Sequence, residues 1–372
     1  MKIAFYNIEN LFFRHRELLE KPKSHNHSNW REELDNLMNT KSNRRYERIR
    51  ELVYLLGFEH KDPFRYGYLN RKGMVMAMKP QHYELATRAG EITNWQGWIE
   101  IENRPLPTRS IHHKAQIIAE TNADVLVLQE VESKPAVKVF LEKYLSHYPI
   151  APYRDLSFSQ GNDDRGLDQA VLVRKGIMLD SMGIYNQERE STGAFLFDRD
   201  FTAFRITGKT ESFWILAVQF TAGIELKEEL EKKRYRQSQA VARVYQQLRE
   251  QGNDHILVLG SLFAVSYCYS LSPLLQDTDL KSISRHPQFL AAKDHGKDKD
   301  YYSLGAYGRG LNLKEEVYLL ASPGMYSKIK RCGIDRRAIW PGTENQWRIL
   351  TTLKQKEEQA SQHPVLWMEV KF

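Results

Sequence analysis

The residues best suited to chemistry in this chain stand where strands meet loops. Glu130 follows the apolar run Val125-Leu-Val-Leu128 and Gln129. A carboxylate straight after a fully apolar strand sits at the rim of a core. There it can hold a hard cation, or it is a solvated loop glutamate. Asn7 closes the N-terminal strand Lys2–Tyr6, where its amide serves a site or forms a local turn. His363 precedes Pro364, which keeps its backbone extended. It is a structural histidine or a donor to a phosphate. Arg165, in the polar turn Gly161-Asn-Asp-Asp-Arg-Gly166, can grip a phosphate with its forked guanidinium or pair with a neighbouring aspartate. After the strand His255–Leu259, Gly260 reads as a turn that leads into Ser261, Leu262 and Phe263. Rigid strands commonly hold chemistry at such loops. Here the loop offers a hydroxyl and a benzyl group.

The elements that position these residues follow from periodicity. Arg109 to Glu120 is an amphipathic helix, with Ile111, Ala115, Ile118 and Ala119 on one face. Gln169 to Arg174 and Phe213 to Gln219 read as strands. Leu226 to Glu250 reads as a long helix ending before Gly252. Glu316 to Ala321 reads as a strand, Met325 to Arg331 as a helix, and Val365 to Lys371 as the last strand. The recurring helix–strand order predicts a layered α/β sandwich. Residues 20–108 are less regular. Asn43 to Leu56 reads as a helix carrying Arg44, Arg45, Arg48 and Arg50. Phe64, Arg65, Tyr66, Tyr68, Arg71, Lys72, Trp95 and Trp98 follow. Basic residues among aromatics suit single-stranded nucleic acid, or they are the charged outside of a covering insertion.

A chain of 372 residues with 41% hydrophobic and 27% charged content is an ordinary globular protein able to bury a large core. Its net charge of +7 is a mild bias towards polyanions. Two cysteines are too few for a disulfide framework and read as free thiols. No apolar run nears the ~20 residues of a membrane span. MKIAFYNIEN turns polar too soon for a signal peptide. The expected address is the cytoplasm, with no membrane partner.

Taken together, the strand ends resemble the endonuclease/exonuclease/phosphatase superfamily, the group related to DNase I. YNIENLF from Tyr6, DVLVLQEVES (124–133), DDRGLDQAVLV (163–173), and RYRQSQAVARV (234–244) followed by ILVLG (256–260) look like its successive motifs. SPGMYSKIKRCGIDRRAIW (322–340) and SQHPVLWMEV (361–370) are similar to the closing segments of a bacterial branch. The resemblance covers most of the chain. It implies one four-layered α-β-β-α domain over 1–372, with an insertion at about 20–108 that could cover the cleft. It also implies phosphoester hydrolysis with Mg²⁺ or Mn²⁺. Carboxylates would hold the metal, an Asp and an Asn would position water, and His residues would stabilise the phosphate charge.

Carried over residue by residue, the resemblance makes Glu130 the principal metal ligand, Asn7 its helper and His363 the contact to the scissile phosphate. The family's other positions are replaced. Gln219 stands for a His, Ser261 and Phe263 for an Asp and an Asn. Val317 stands for the Asp that orients the final His, and Gln362 for the Asp before that His. With Glu130 the one clear site carboxylate, Mg²⁺ or Mn²⁺ is expected to bind weakly or not at all. These losses imply a catalytically impaired pseudoenzyme that acts as a binding or assembly protein. Its partner would be a phosphorylated ligand or nucleic acid. One alternative is an active phosphodiesterase or nuclease whose site is rebuilt with Asp163, Asp164, Asp168 or Glu132. Another is a nucleic-acid-binding module that uses the basic–aromatic insertion.

Overall fold

A computed structural model describes residues 1–15, 27–39, 46–56, 67–71, 97–101, 103–163, 165–191, 193–222, 227–295, 307, 311, 313–341 and 346–372. By its contacts the chain divides into two compact units, 1–11 with 107–372, and 12–106. The second overlaps the stretch 20–108. In chain order, β1 (Lys2–Asn7) is followed by β2 (Phe13–His15), α1 (His27–Asn39), α2 (Tyr46–Leu55), β3 (Gly67–Arg71), β4 (Gly97–Ile101) and β5 (Asn103–Pro105). Then come α3 (Thr108–Thr121), β6 (Val125–Val131), α4 (Lys134–Lys143), β7 (Tyr153–Ser159), β8 (Asp168–Arg174), β9 (Met178–Ile184), β10 (Phe201–Thr207) and β11 (Ser212–Gln219). The chain closes with α5 (Lys227–Glu250), β12 (Ile256–Ser261), α6 (Ser272–Leu275), β13 (Lys281–Ser282), β14 (Phe289–Leu290), β15 (Val317–Ala321), α7 (Pro323–Ser327), β16 (Ile329–Asp335) and β17 (Val365–Val370).

The larger unit holds two mixed sheets. One has seven strands in the order β14-β16-β17-β1-β6-β8-β7, the other six in the order β13-β15-β12-β11-β10-β9. Strand alternation explains their packing. Ile3, Phe5, Val125, Val127, Val171 and Val173 of the first sheet meet Phe204, Ile215, Leu257, Leu259 and Leu319 of the second in one shared core. On the second sheet's other face, Leu216, Val218, Val258 and Leu320 pack with Val241, Val244, Tyr245 and Leu248 of α5. Helix α3 buries Ile111, Ala115 and Ile118, and α4, which buries Val137 and Phe140, lies against β6. The result is the expected α/β sandwich, two packed sheets with helices outside.

The smaller unit has its own core, in which Leu34 and Met38 of α1 meet Ile49, Leu52, Val53 and Leu56 on and just beyond α2. It also holds the two-stranded pairs β2–β5 and β3–β4. Helix α2 begins at Tyr46; Arg44 and Arg45 lie outside the described residues, as do Phe64, Arg65, Tyr66, Lys72 and Trp95. No helix among the described residues is long and apolar enough to cross a membrane.

Three segments differ from the expectation. The strand read as Val125–Leu128 runs on to Val131, so Glu130 lies within it. The strand read as ending before Gly260 runs through it to Ser261. Gly260 is there because the backbone of β11 comes too close for any side chain; an added Cβ would lie 1.7 Å from the Val218 carbonyl oxygen. The helix read at 325–331 stops at Ser327, and 329–335 is strand. A register shift between Ile329 and Arg331 leaves Lys330 and Arg331 both exposed, which hides the two-residue period.

Candidate site at the strand ends

Strand register brings the expected residues to one edge of the sandwich. Asn7 pairs with Gln129 across the parallel strands β1 and β6, and Gln219 with Ser261 across β11 and β12. Ser261 also stands opposite Val317 on β15. At this edge the two sheets are joined by side chains. Asn7 donates from Nδ2 to Ser261 Oγ at 3.0 Å. Gln129 donates to the Val218 carbonyl at 2.9 Å and accepts from the Ser261 amide at 3.1 Å. Gln219 donates from Nε2 to Glu130 Oε1 at 2.6 Å. All these side chains are buried, so each bond removes the cost of an unpaired polar group. Asn7 also forms the local turn, accepting from the Glu9 amide at 3.1 Å. The turn reading of Asn7 therefore describes the carbonyl half of its amide, and the other half bonds to Ser261.

Glu130 sits in a β-bulge. The register with β8 shifts between Gln129 and Val131, and Glu130 has φ 60°. A left-handed backbone is unusual for a residue with a side chain, and a bulge re-aims the side chain it carries. The bulge turns Glu130 towards the second sheet, where it is buried. Its Oε1 accepts from Gln219 and from Arg165 Nη2 at 3.2 Å, with Arg199 Nη1 at 3.8 Å. Burial pushes this carboxyl up. Arg165, His363, and bonds from Asn7 and Gln219 together outweigh that and hold it below the ordinary glutamate value. Glu130 is therefore ionised at neutral pH.

Arg165 is held by acids. Its Nε and Nη2 donate to Asp163, with Nη2 at 2.6 Å from Oδ2, and Arg199 Nη1 donates to the same oxygen at 2.8 Å. The Asp163 side chain is 2% exposed; burial raises its pKa against the pull of Arg165. Next to this group lies Asp200, fully buried. Neither of its carboxylate oxygens has a hydrogen-bond partner among the described residues. Burial first, then the charges of Asp168 and Asp163, raise its pKa well above the ordinary aspartate value. Arg199 and Asp200 escaped the sequence reading. Their signal was the charged triplet Asp198-Arg199-Asp200 between Phe197 and Phe201, at the entry of β10.

The remaining positions serve packing and loop geometry. Phe263 presents its ring to His363 edge-on, with centroids 6.1 Å apart at 74°. Val317 is part of the core between the sheets. Gln362 donates its backbone amide and Nε2 to Glu9, at 3.0 and 2.9 Å. The loop before His363 is tied to the end of β1, because Ser361 Oγ donates to the Asn7 carbonyl at 2.8 Å. Lys114 of α3, wholly buried, donates to the carbonyls of Ile8, at 2.6 Å, and Ala360. Its position among apolar residues of α3 gave no sign of this in the sequence.

Two of the other acids named as candidate ligands accept backbone amides. Both carboxylate oxygens of Glu132 accept from the Leu11 amide at 2.8 Å, and Asp168 accepts from the Gly161 amide at 2.9 Å. Asp164 lies outside the described residues. Among the described residues no group of three or more His, Cys, Asp and Glu could hold a metal ion. The donor set does not fit Mg²⁺ or Mn²⁺, which want several free oxygens. Glu130 Oε1 already faces an amide and two guanidiniums, and Asn7 is bonded to Ser261. In the smaller unit, Arg48 is paired with Glu33 and Glu51.

No family model matches the chain, and no curated protein matches it in sequence. Among solved structures it is similar to the endonuclease/exonuclease/phosphatase from Bacteroides vulgatus, at 13% identity over 71% of this chain and 91% of that one, with a TM-score of 0.46. It is similar to the human Nocturnin catalytic domain with bound sulfate anion, at 13% identity over 71% and 87%, TM-score 0.45. TDP2 from C. elegans matches at 12% identity over 94% of both chains, TM-score 0.44. At these identities and scores the likeness carries no residue-by-residue correspondence.

Proposed function

We propose that this chain is an endonuclease/exonuclease/phosphatase-superfamily protein whose catalytic and metal positions are largely replaced, and which works as a binding or assembly protein. The observation that carries this reading is the closure of the strand-end network. Asn7 is bonded to Ser261, and Glu130 to Gln219 and Arg165. The side chains that would present ligands to a metal and a water bond to one another, while Gln219 Oε1 has no partner among the described residues. Phe263 supplies no hydrogen bond, and Ser261 supplies no carboxylate base. The test is hydrolysis of single- and double-stranded DNA, RNA and a chromogenic phosphoester in Mg²⁺ and Mn²⁺. The reading expects no turnover above buffer. Turnover that disappears in Glu130→Gln contradicts it.

A further inference from the structure

Two carboxylates and two guanidiniums meet at the candidate site. Arg165 Nη2 lies 3.2 Å from Glu130 and 2.6 Å from Asp163, and Arg199 Nη1 lies 3.8 and 2.8 Å from the same two groups. The four charges cancel. Both acid side chains are almost wholly buried, and the arginine side chains are 20% and 14% exposed. A buried carboxylate without a counter-charge is costly, and two together more so. From this we infer that Arg165 and Arg199 are the built-in counter-charge of the site, in place of a divalent cation. The inference rests on the proposed function and gives its physical cause.

Charge decides the matter. A divalent cation entering beside Glu130 would add two positive charges to a neutral, mostly buried group. It would stand within a few ångströms of two guanidiniums, whose repulsion is weakly screened there. The ion could bind only by displacing them. Gln219 adds to the crowding, because its N–H points at Glu130 Oε1, the oxygen that also faces both guanidiniums. The arginines are fixed in turn. The Arg165 amide donates to Asp163 Oδ1 at 2.9 Å, so backbone and side chain grip one aspartate. The site is thus an internal salt cluster that completes the fold without metal, and removing its cations should expose a latent pair of carboxylates.

The experiment is thermal unfolding with and without Mn²⁺, on wild type and on Arg165→Met/Arg199→Met. Wild type is expected to show no Mn²⁺ dependence. The double variant is expected to melt lower and to regain stability saturably with Mn²⁺. The rise should be on the order of 5 °C at large excess, and adding Glu130→Gln should abolish it. A double variant that folds but ignores Mn²⁺, beside a wild type that also ignores it, overturns the counter-charge inference and leaves the proposed function standing. Saturable stabilisation of wild type by Mn²⁺ overturns both. If the double variant does not fold even in Mn²⁺, the charge-neutral Arg165→Met/Arg199→Met/Glu130→Gln/Asp163→Asn decides. Its folding supports the inference, since charge and not shape was missing. Its failure shows that the arginines act by packing and overturns the inference.

Discussion

Gln219 Nε2 donates to Glu130 Oε1 at 2.6 Å, joining the end of one sheet to a bulge in the other. Both groups are buried, so the bond is made where water cannot replace it. Gln219→Leu should leave the carboxylate one donor short and cost about 1–3 kcal/mol, the usual penalty for a buried acceptor losing its partner. Urea unfolding checks this. A variant as stable as wild type would mean that Arg165 and Asn7 suffice for Glu130.

Lys114 hangs two loops from one helix, through the carbonyls of Ile8 and Ala360. One loop follows Asn7 and the other leads to His363. Lys114→Met keeps the volume and removes the donors. It should cost about 1–3 kcal/mol for the lost bond to the Ile8 carbonyl. Hydrogen exchange should quicken first at residues 8–11 and 360–363. Uniform destabilisation without that local signature would count against the tether.

Much of the frame was readable in the sequence. The apolar runs at 125–128, 213–219 and 256–259 are nearly continuous because both faces of these strands are buried, and the helix faces at 109–120 and 226–250 have clear periods because each helix packs one face against a core. The strand at 329–335 escaped because its bulge breaks the alternation, and Gly260 was read as a turn because nothing local reveals the close approach of Val218. The site was readable only as positions. Asn7, Glu130, Gln219 and Ser261 stand at strand ends, so they could be named. Their bonding to one another depends on sheet-to-sheet contacts between residues as far apart as Asn7 and Ser261. For the same reason Arg199, Asp200 and Lys114 had no sequence signature strong enough to single them out.

Asp200 gives the stability a pH dependence of definite sign. Its folded pKa is raised well above the ordinary value by burial and by Asp168 and Asp163. The folded state therefore keeps its proton after the unfolded chain has lost it. The stabilising contribution is complete below the unfolded value, ~4, and is lost as pH rises towards the folded value. Asp200→Asn should remove a slope of up to ~1.4 kcal/mol per pH unit. The variant should gain on wild type as pH rises above the unfolded value in denaturant unfolding. Parallel profiles would show that Asp200 titrates alike in both states.

Gly260 is required by space. An added Cβ would meet the Val218 carbonyl oxygen at 1.7 Å, at a backbone φ of 154°. Gly260→Ala must push β11 and β12 apart at the register pair Val218 and Gly260. A loss of about 3 kcal/mol or more is expected, at the upper end for overpacking. Wild-type stability in that variant would mean that the strand ends at Gly260.

The most direct measurement is calorimetric titration of wild-type protein with Mn²⁺, beside Glu130→Ala. The counter-charge of Glu130 comes from Arg165 and Arg199, so wild type should give no saturable heat, and the variant should match it. Saturable binding at micromolar Mn²⁺, lost in Glu130→Ala, would contradict this. It would mean that Glu130 releases its arginines to hold a metal.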